Sequence, residues 1–560
     1  MHPIRYFLAC YLLFLFVGAA PIASAQDKKE TEIKLVLQIT VDGLRADRLS
    51  RYEDRFGDGG FNYLLKNGTV FTNAHYQHAN TETIVGHTVL ATGAFPSENG
   101  MIGNVWFDSE SKELSYNIED QEAPILPTRD KEVKGEQVDP AQKLSRAKGR
   151  SPRAILAATF SDGLAVFSNG KSKIFGISGK DRGAVPMAGH TGKAFWFSTD
   201  SGDFVTSSYY YDTYPGWVKR WNELGNTQKH AGSSWNLLHE TGSYIYKDDR
   251  PYETDLKGFS RVFPHPFGEV EDKLFNTKIL VSPVGDRLLC DFAKELVKAE
   301  KIGIDDTPDY LSISFSAVDA VNHFFGPSSR ENEDVVLHLD RILADLFTFV
   351  GDTIGLEHTL IILSADHGMA EMPEYLTELG YEVGRLSTDG IVNVANEAGL
   401  EKFGIDEIVR FFFRPYIYLN DEKIAAAKLN QETAEKAIAS ALTNIRGVAY
   451  AVTQSGLPEL QKSPILQQIR RNTHGSRSGD IYVAQDPYWF LFDKGPVAVM
   501  HGSPWRYDTH VPLIFVGPSI QPQTINRPVH PVDVAPTMAA FLGISPPSSA
   551  SGVLLFEILQ

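Results

Sequence analysis

The chain has 560 residues, 42% of them hydrophobic, and a formal net charge of −17. That length suits one large body with insertions, or two domains. The acidic balance speaks against nucleic acid and anionic membrane surfaces as partners, although an anionic small molecule stays open because local cations or a metal can reverse the sign inside a cleft.

Residues 1–25 read as a signal peptide. His2 and Arg5 give a basic start, residues 6–20 form an apolar run, and Ala23-Ser24-Ala25 is a small-residue cleavage site before Gln26. The run is short for a membrane span and no stop-transfer pattern follows. Cys10 lies inside that run rather than at the cleavage site, so a lipoprotein is not indicated. The expected mature chain, 26–560, is periplasmic or secreted and holds no stable membrane anchor. Its one cysteine, Cys290, forms no internal disulfide and reads as a buried small apolar residue.

Four apolar runs read as buried strands: 35–41, 311–315, 359–363 and 511–516. Helical patterns lie between them, for example over 335–350. This alternation predicts an α/β fold with a doubly wound, mostly parallel central sheet and helices on both faces. In such sheets ligands gather at the carboxyl ends of the strands. Three of the runs place an aspartate at or just beyond that end: Asp42, Asp319 and Asp366. Two stretches, near 106–266 and 374–479, read as inserted cap or lid material, the second with a helical tract over 421–443.

The central stretch is 80–104. Residues 84–92 read as a short helix stopped by Gly93, which puts Thr83 at or near its N-terminus. A hydroxyl there is either an N-cap or a nucleophile favoured by the field of the helix end. Asp42-Gly43 is either a turn or a ligand. Asp319 and His323, four apart, share a helix face and can share a metal, with a capping aspartate and a polar-face histidine as the alternative. Asp366-His367-Gly368 ends a strand and is either a plain turn or a metal corner, and His510 precedes a strand and taken alone reads as a satisfied structural histidine. Three aspartates and three histidines with no thiolate suit zinc or a similar divalent ion. Six ligands are too many for one catalytic zinc and suit two metals sharing a substrate. In extended backbone Lys180 and Arg182 point to one side, where they either form a solvated charged loop or bind phosphoryl oxygens. Glu82 reads as a surface carboxylate and the aromatic stretch 209–217 as packing, with shaping of the leaving-group side as the alternative for each.

In this order the motifs Val41-Asp42-Gly43, Thr83-Ile84-Val85-Gly86-His87-Thr88, Gly103-Asn104, Lys180-Asp181-Arg182, Asp319-Ala320-Val321-Asn322-His323, Ala365-Asp366-His367-Gly368 and Asp508-Thr509-His510-Val511-Pro512-Leu513 resemble those of the alkaline phosphatase superfamily. The resemblance is to its PafA-like branch of bacterial periplasmic enzymes, which use threonine. It implies two zinc ions, one held by Asp319, His323 and His510, the other by Asp42, Asp366, His367 and the Thr83 oxygen. Asn104, Lys180 and Arg182 would hold the phosphoryl group. The implied activity is hydrolysis of a broad range of small-molecule phosphate monoesters through a phosphothreonine. A nucleotide pyrophosphatase or phosphodiesterase of the same superfamily is the alternative, and a catalytically silent binding protein is another. A third, magnesium site needs carboxylates that do not emerge from this sequence. The motif that sulfatases mature into formylglycine is missing, since Ser151-Pro152-Arg153 lacks its intervening residues.

Overall fold

The computed structural model describes residues 32–108, 111–128, 139–457, 463–491 and 497–559. The expected signal peptide lies outside them. Among the described residues no helix is long and apolar enough to cross a membrane.

Seven-residue Leu35–Val41 (β1) is buried throughout, so it must be covered on both faces. It is the middle of a nine-stranded sheet. The other strands are β2 (Thr69–His75), β3 (Ile174–Ser178), β4 (Lys193–Phe197), β5 (Phe204–Val205), β6 (Asp309–Phe315), β7 (Thr359–Ser364), β8 (His510–Val516) and β9 (Gln523–Ile525). Their spatial order is β9-β2-β8-β7-β1-β6-β3-β4-β5. All run one way except β5 and β8.

Alternate side chains serve opposite faces. Leu35, Leu37 and Ile39 pack with Leu289 and Phe292 of α3 (Pro283–Glu300) and Leu343 of α5 (Arg330–Thr353). Val36 packs on the other side with Leu90 of α1 (Thr83–Thr92), Met187 of α2 (Asp181–Ala188) and Met538 of α6 (Val534–Phe541). Cys290 is buried within α3. Tyr210 and Trp217 of the aromatic stretch are buried in cores as well.

Register sets the working edge. Ser364, Thr40, Ser314 and Ser178 lie in one row across β7, β1, β6 and β3. The four loops that follow therefore leave the sheet at one level. They carry Asp366, Asp42, the helix α4 (Ala317–Phe325) and Lys180.

Two local expectations are corrected. The helical tract over 421–443 is two helices, Asp421–Ala426 and Gln431–Leu442. Lys428 takes a positive φ between them, and the Asn430 side chain caps the second by accepting from Thr433 N–H. Lys180 is extended, but Arg182 lies in the first turn of α2, so their shared direction is not that of a strand. The sheet is mostly parallel as expected, with β8 antiparallel to both its neighbours.

Residues 374–491 build a second sheet of four strands, Val409–Phe413, Tyr416–Leu419, Ile481–Gln485 and Val448–Thr453 in that spatial order. Helices Thr388–Phe403 and Gln431–Leu442 cover it around Ile391, Ile417, Ile438 and Val483.

One buried cluster gives this fold a pH signature. Glu331, in the first turn of α5, is fully buried with its Oε1 3.3 Å from His265 Nε2. Burial, with Asp248 and Asp334 adding to it against Arg330, pushes its carboxyl up to about 8, and burial beside Glu331 pushes Glu253 up to about 8 as well. A carboxyl whose pKa is raised on folding binds a proton in the native state that the unfolded chain has released. Its stabilising contribution is full below the unfolded pKa and is lost as pH rises to about 8. Glu331→Gln is therefore expected to raise stability at pH 9 by roughly 3–5 kcal/mol relative to its effect at pH 5. Denaturant unfolding of both proteins at the two pH values checks this, and parallel curves would refute it.

Candidate active site

Helix α1 begins at Thr83, with Glu82 extended before it and Gly93 closing it at φ +65°. All ten of its residues are buried. It comes this close to β7 because position 86 has no side chain: a Cβ on Gly86 would stand 2.0 Å from the Asp366 carbonyl oxygen. Gly43, at φ +72°, does the same service between β1 and α4, where a Cβ would meet that of Asp319 at 2.9 Å. These two contacts bring the loops after β1, β6 and β7 against the start of α1, where Thr83 stands.

Two groups of ligand-type side chains result, Asp42 with Asp366 and His367, and Asp319 with His367 and His501. His323 joins the second, its Nε2 3.3 Å from Asp319 Oδ2. Thr83 Oγ1 is 3.5 Å from His367 Nε2. His367 Nε2 is 3.3 Å from Asp42 Oδ1 and 3.4 Å from Asp366 Oδ2.

The donor set fits metal ions. Each of the three imidazoles gives its Nδ1 to a backbone carbonyl: His323 to Val499 at 3.0 Å, His367 to Gly368 at 2.8 Å and His501 to Thr81 at 2.8 Å. With Nδ1 so engaged, each ring turns its Nε2 toward the carboxylates, the nitrogen that carries the lone pair a metal ion needs when the ring is neutral. Oδ1 of Asp42, Oδ1 of Asp319 and Oδ2 of Asp366 are buried without a hydrogen bond, while Oδ2 of Asp42 has the Lys180 ammonium at 2.6 Å. Buried carboxylate oxygens in such number call for cations.

Charge balance among the residues says the same. Burial, then Asp319 and Asp366, raise the Asp42 carboxyl above its usual range. Burial also works against ionised Asp319, but His323 and Lys180 more than reverse it and hold it well below. Burial alone would lower His367, yet Asp366 and Asp42 lift it to about 10. The Lys180 ammonium lies between the two groups, 2.6 Å from Asp42 Oδ2 and in contact with Asp319 Oδ2. Arg182 Nη1 is 2.6 Å from Asp139 Oδ2. Asn104 Oδ1 accepts from Ile84 N–H at 3.3 Å, which leaves its amide donor available. Asn104, Lys180 and Arg182 line one cavity of about 240 Å³, together with Asp319, His323 and His501.

His510, taken from sequence as a metal ligand, is not part of this arrangement. It opens the antiparallel strand β8, pairs with His75 and stacks on it with ring centroids 4.5 Å apart. Its Nε2 faces the Thr72 carbonyl at 3.0 Å. The third imidazole is His501, nine residues earlier, stacked on His367 at 3.5 Å. Its loop carries no strand signal; the only sequence cue is His501-Gly502-Ser503-Pro504 itself. Glu82 is the other revision. It is 3% exposed rather than a surface group, accepts from Asn104 N–H at 2.6 Å and pairs with Arg414 at 3.1 Å. His87, inside α1, also bears on the site, its Nδ1 2.8 Å from Thr83 O and 3.2 Å from Asp366 Oδ2.

Comparison with known proteins agrees with this geometry. Residues 36–504 match the family model for type I phosphodiesterase / nucleotide pyrophosphatase. A protein of Myroides odoratus named calcium-transporting ATPase is 31% identical over 97% of both chains. Alkaline phosphatase PafA of Elizabethkingia meningoseptica is 31% identical over 98% of both. The crystal structure of wild-type PafA superposes with a TM-score of 0.87 at 30% identity, over 94% of this chain and 99% of that one. A PafA variant altered at a threonine, an asparagine, a lysine and an arginine superposes with a TM-score of 0.85.

Proposed function

Because the chain belongs to the type I phosphodiesterase / nucleotide pyrophosphatase family and is a homologue of bacterial alkaline phosphatases, we propose that it is an exported alkaline phosphatase, hydrolysing phosphate monoesters through Thr83. The observation that carries this reading is the contact of the Thr83 oxygen with a carboxylate–imidazole cluster whose ring tautomers all suit metal binding. The four residue types altered in the PafA variant recur here, in the same chain order, as Thr83, Asn104, Lys180 and Arg182.

Two zinc ions would be held by Asp42, Asp366, His367 and the Thr83 oxygen, and by Asp319, His323 and His501; they would supply Lewis acidity at the nucleophile and at the leaving oxygen. The protein's own groups do the rest. Thr83 attacks phosphorus in line and becomes phosphothreonine as the alcohol departs. Asn104, Lys180 and Arg182 hold the three non-bridging oxygens, so charge that develops on them is met by fixed donors. Water then enters from the side the alcohol left and releases phosphate and Thr83. His87 keeps the Thr83 carbonyl, Asp366 and the strand end in register through these steps.

Two cations and three donors match a monoester dianion better than a diester monoanion. The second reading, a phosphodiesterase, is favoured by the family model's description. Lys180→Ala with Arg182→Ala separates the two. Monoester turnover is expected to fall far more than diester turnover, by about 2–4 kcal/mol of transition-state stabilisation per contact removed. Steady-state kinetics on para-nitrophenyl phosphate and bis-para-nitrophenyl phosphate, with and without chelator at alkaline pH, make the measurement. Equal losses on both substrates would favour the diesterase. Absence of any chelator-sensitive hydrolysis would favour a silent binding protein.

A further inference from the structure

The buried pair Glu82–Arg414 joins two bodies of the molecule at the site. Arg414 stands in the turn between Val409–Phe413 and Tyr416–Leu419, in the four-stranded sheet rather than the nine-stranded one. One end of its guanidinium, Nη2, donates to Glu82 Oε1 at 3.1 Å. The other, Nη1, donates to the His501 carbonyl. His501 in turn donates Nδ1–H to the Thr81 carbonyl at 2.8 Å, which closes a ring of contacts back to Glu82. Glu82 Oε2 accepts from Asn104 N–H at 2.6 Å. Gly502 makes room for the guanidinium: at φ +105°, a Cβ there would come within 2.9 Å of Nη1. A second tie runs beside the first, since Asn472 Oδ1 accepts from Asn80 N–H and its Nδ2 lies 3.0 Å from the Tyr416 hydroxyl.

We propose that Glu82 and Arg414 are positioning residues that fix the distance between the phosphoryl-holding side, Thr83 and Asn104, and the leaving-group side, His501. The proposal rests on the phosphatase reading of the site. A fully buried ion pair adds little net stability, because desolvation offsets the attraction. It does impose geometry, since a planar fork holds its two acceptors at fixed spacing. Here the two acceptors are the carboxylate next to the nucleophile and the carbonyl of a ligand histidine. The four-stranded sheet thereby becomes part of the catalytic geometry without contributing a group that reacts.

The test uses the full mature protein loaded with zinc. Arg414→Met is expected to lower kcat about 10- to 100-fold, the range for partners that orient metal ligands, with KM nearly unchanged. Zinc retention against a chelator, followed by metal analysis, is expected to shorten by a similar factor. Glu82→Gln, which keeps one acceptor and loses the charge, is expected to fall between Arg414→Met and the parent. Combined with Asn104→Ala, Arg414→Met should cost less than the product of the two single losses, because both act through one chain of contacts. Combined with Arg182→Ala, which lies outside that chain, the losses should multiply. If Arg414→Met alone fails to fold, Glu82→Gln with Arg414→Met removes both charges together and carries the same kcat and zinc-retention readouts. Full kcat with full zinc retention in that double variant, or multiplication with Asn104→Ala, would overturn the proposal. Should the unaltered protein hydrolyse no phosphoester, the phosphatase reading falls, and zinc retention still decides the positioning role.

Discussion

Replacing Thr83 with alanine is expected to lower phosphate monoester turnover by about 10³-fold or more, while zinc content stays near that of the parent. The substitution removes the hydroxyl proposed to attack phosphorus, but leaves Asp42, Asp366 and His367 of the same group in place. Thr83→Ser keeps the hydroxyl at the start of α1 and is expected to retain most of the activity. Acid quenching of the parent during turnover should trap phosphate on Thr83, and the alanine variant should trap none. A variant that hydrolyses para-nitrophenyl phosphate at the parent's rate would remove the nucleophile from the account.

The second large effect separates two histidines nine positions apart. His501→Ala is expected to reduce bound zinc by one ion per chain and to lower turnover at least about a hundredfold, since the proposal makes His501 a ligand rather than a group that orients one. His510→Ala removes a ring stacked on His75 at the start of β8 and is expected to leave turnover within about twofold of the parent. Metal analysis and kinetics on the two variants decide the matter. Zinc loss in His510→Ala with none in His501→Ala would reverse the assignment.

That pair of residues also shows where reading the sequence reaches its end. Asp42 and Asp366 were legible because each directly follows an apolar strand, and parallel strands place such residues at a common edge. The central strand was legible to its last residue, since a fully buried strand is a continuous apolar run. His510 stood at the start of another apolar run and so looked equivalent. Nothing in its neighbours reveals that β8 runs antiparallel, or that its first side chain turns to β2. His501 lies in a loop, where position depends on contacts with Thr81 and Arg414, far along the chain.

Glu82 failed for a related reason. A carboxylate reads as exposed unless a partner is visible, and its partner is 332 residues away. Lys180 and Arg182 do line one cavity, although the expected extended backbone gives way to a helix start after Lys180. A helix turn and an extended pair can both bring two cations to one side, so charge and spacing carried the inference further than the assumed conformation did.

The proposed chemistry depends on where cations sit. Crystals grown with zinc and vanadate, measured at the zinc absorption edge, test it most directly. Two anomalous peaks are expected, one among Asp42, Asp366 and His367, the other among Asp319, His323 and His501, with vanadium within bonding distance of Thr83 Oγ1. Peaks elsewhere, a single peak beside His510, or vanadate seated away from Thr83 would contradict it.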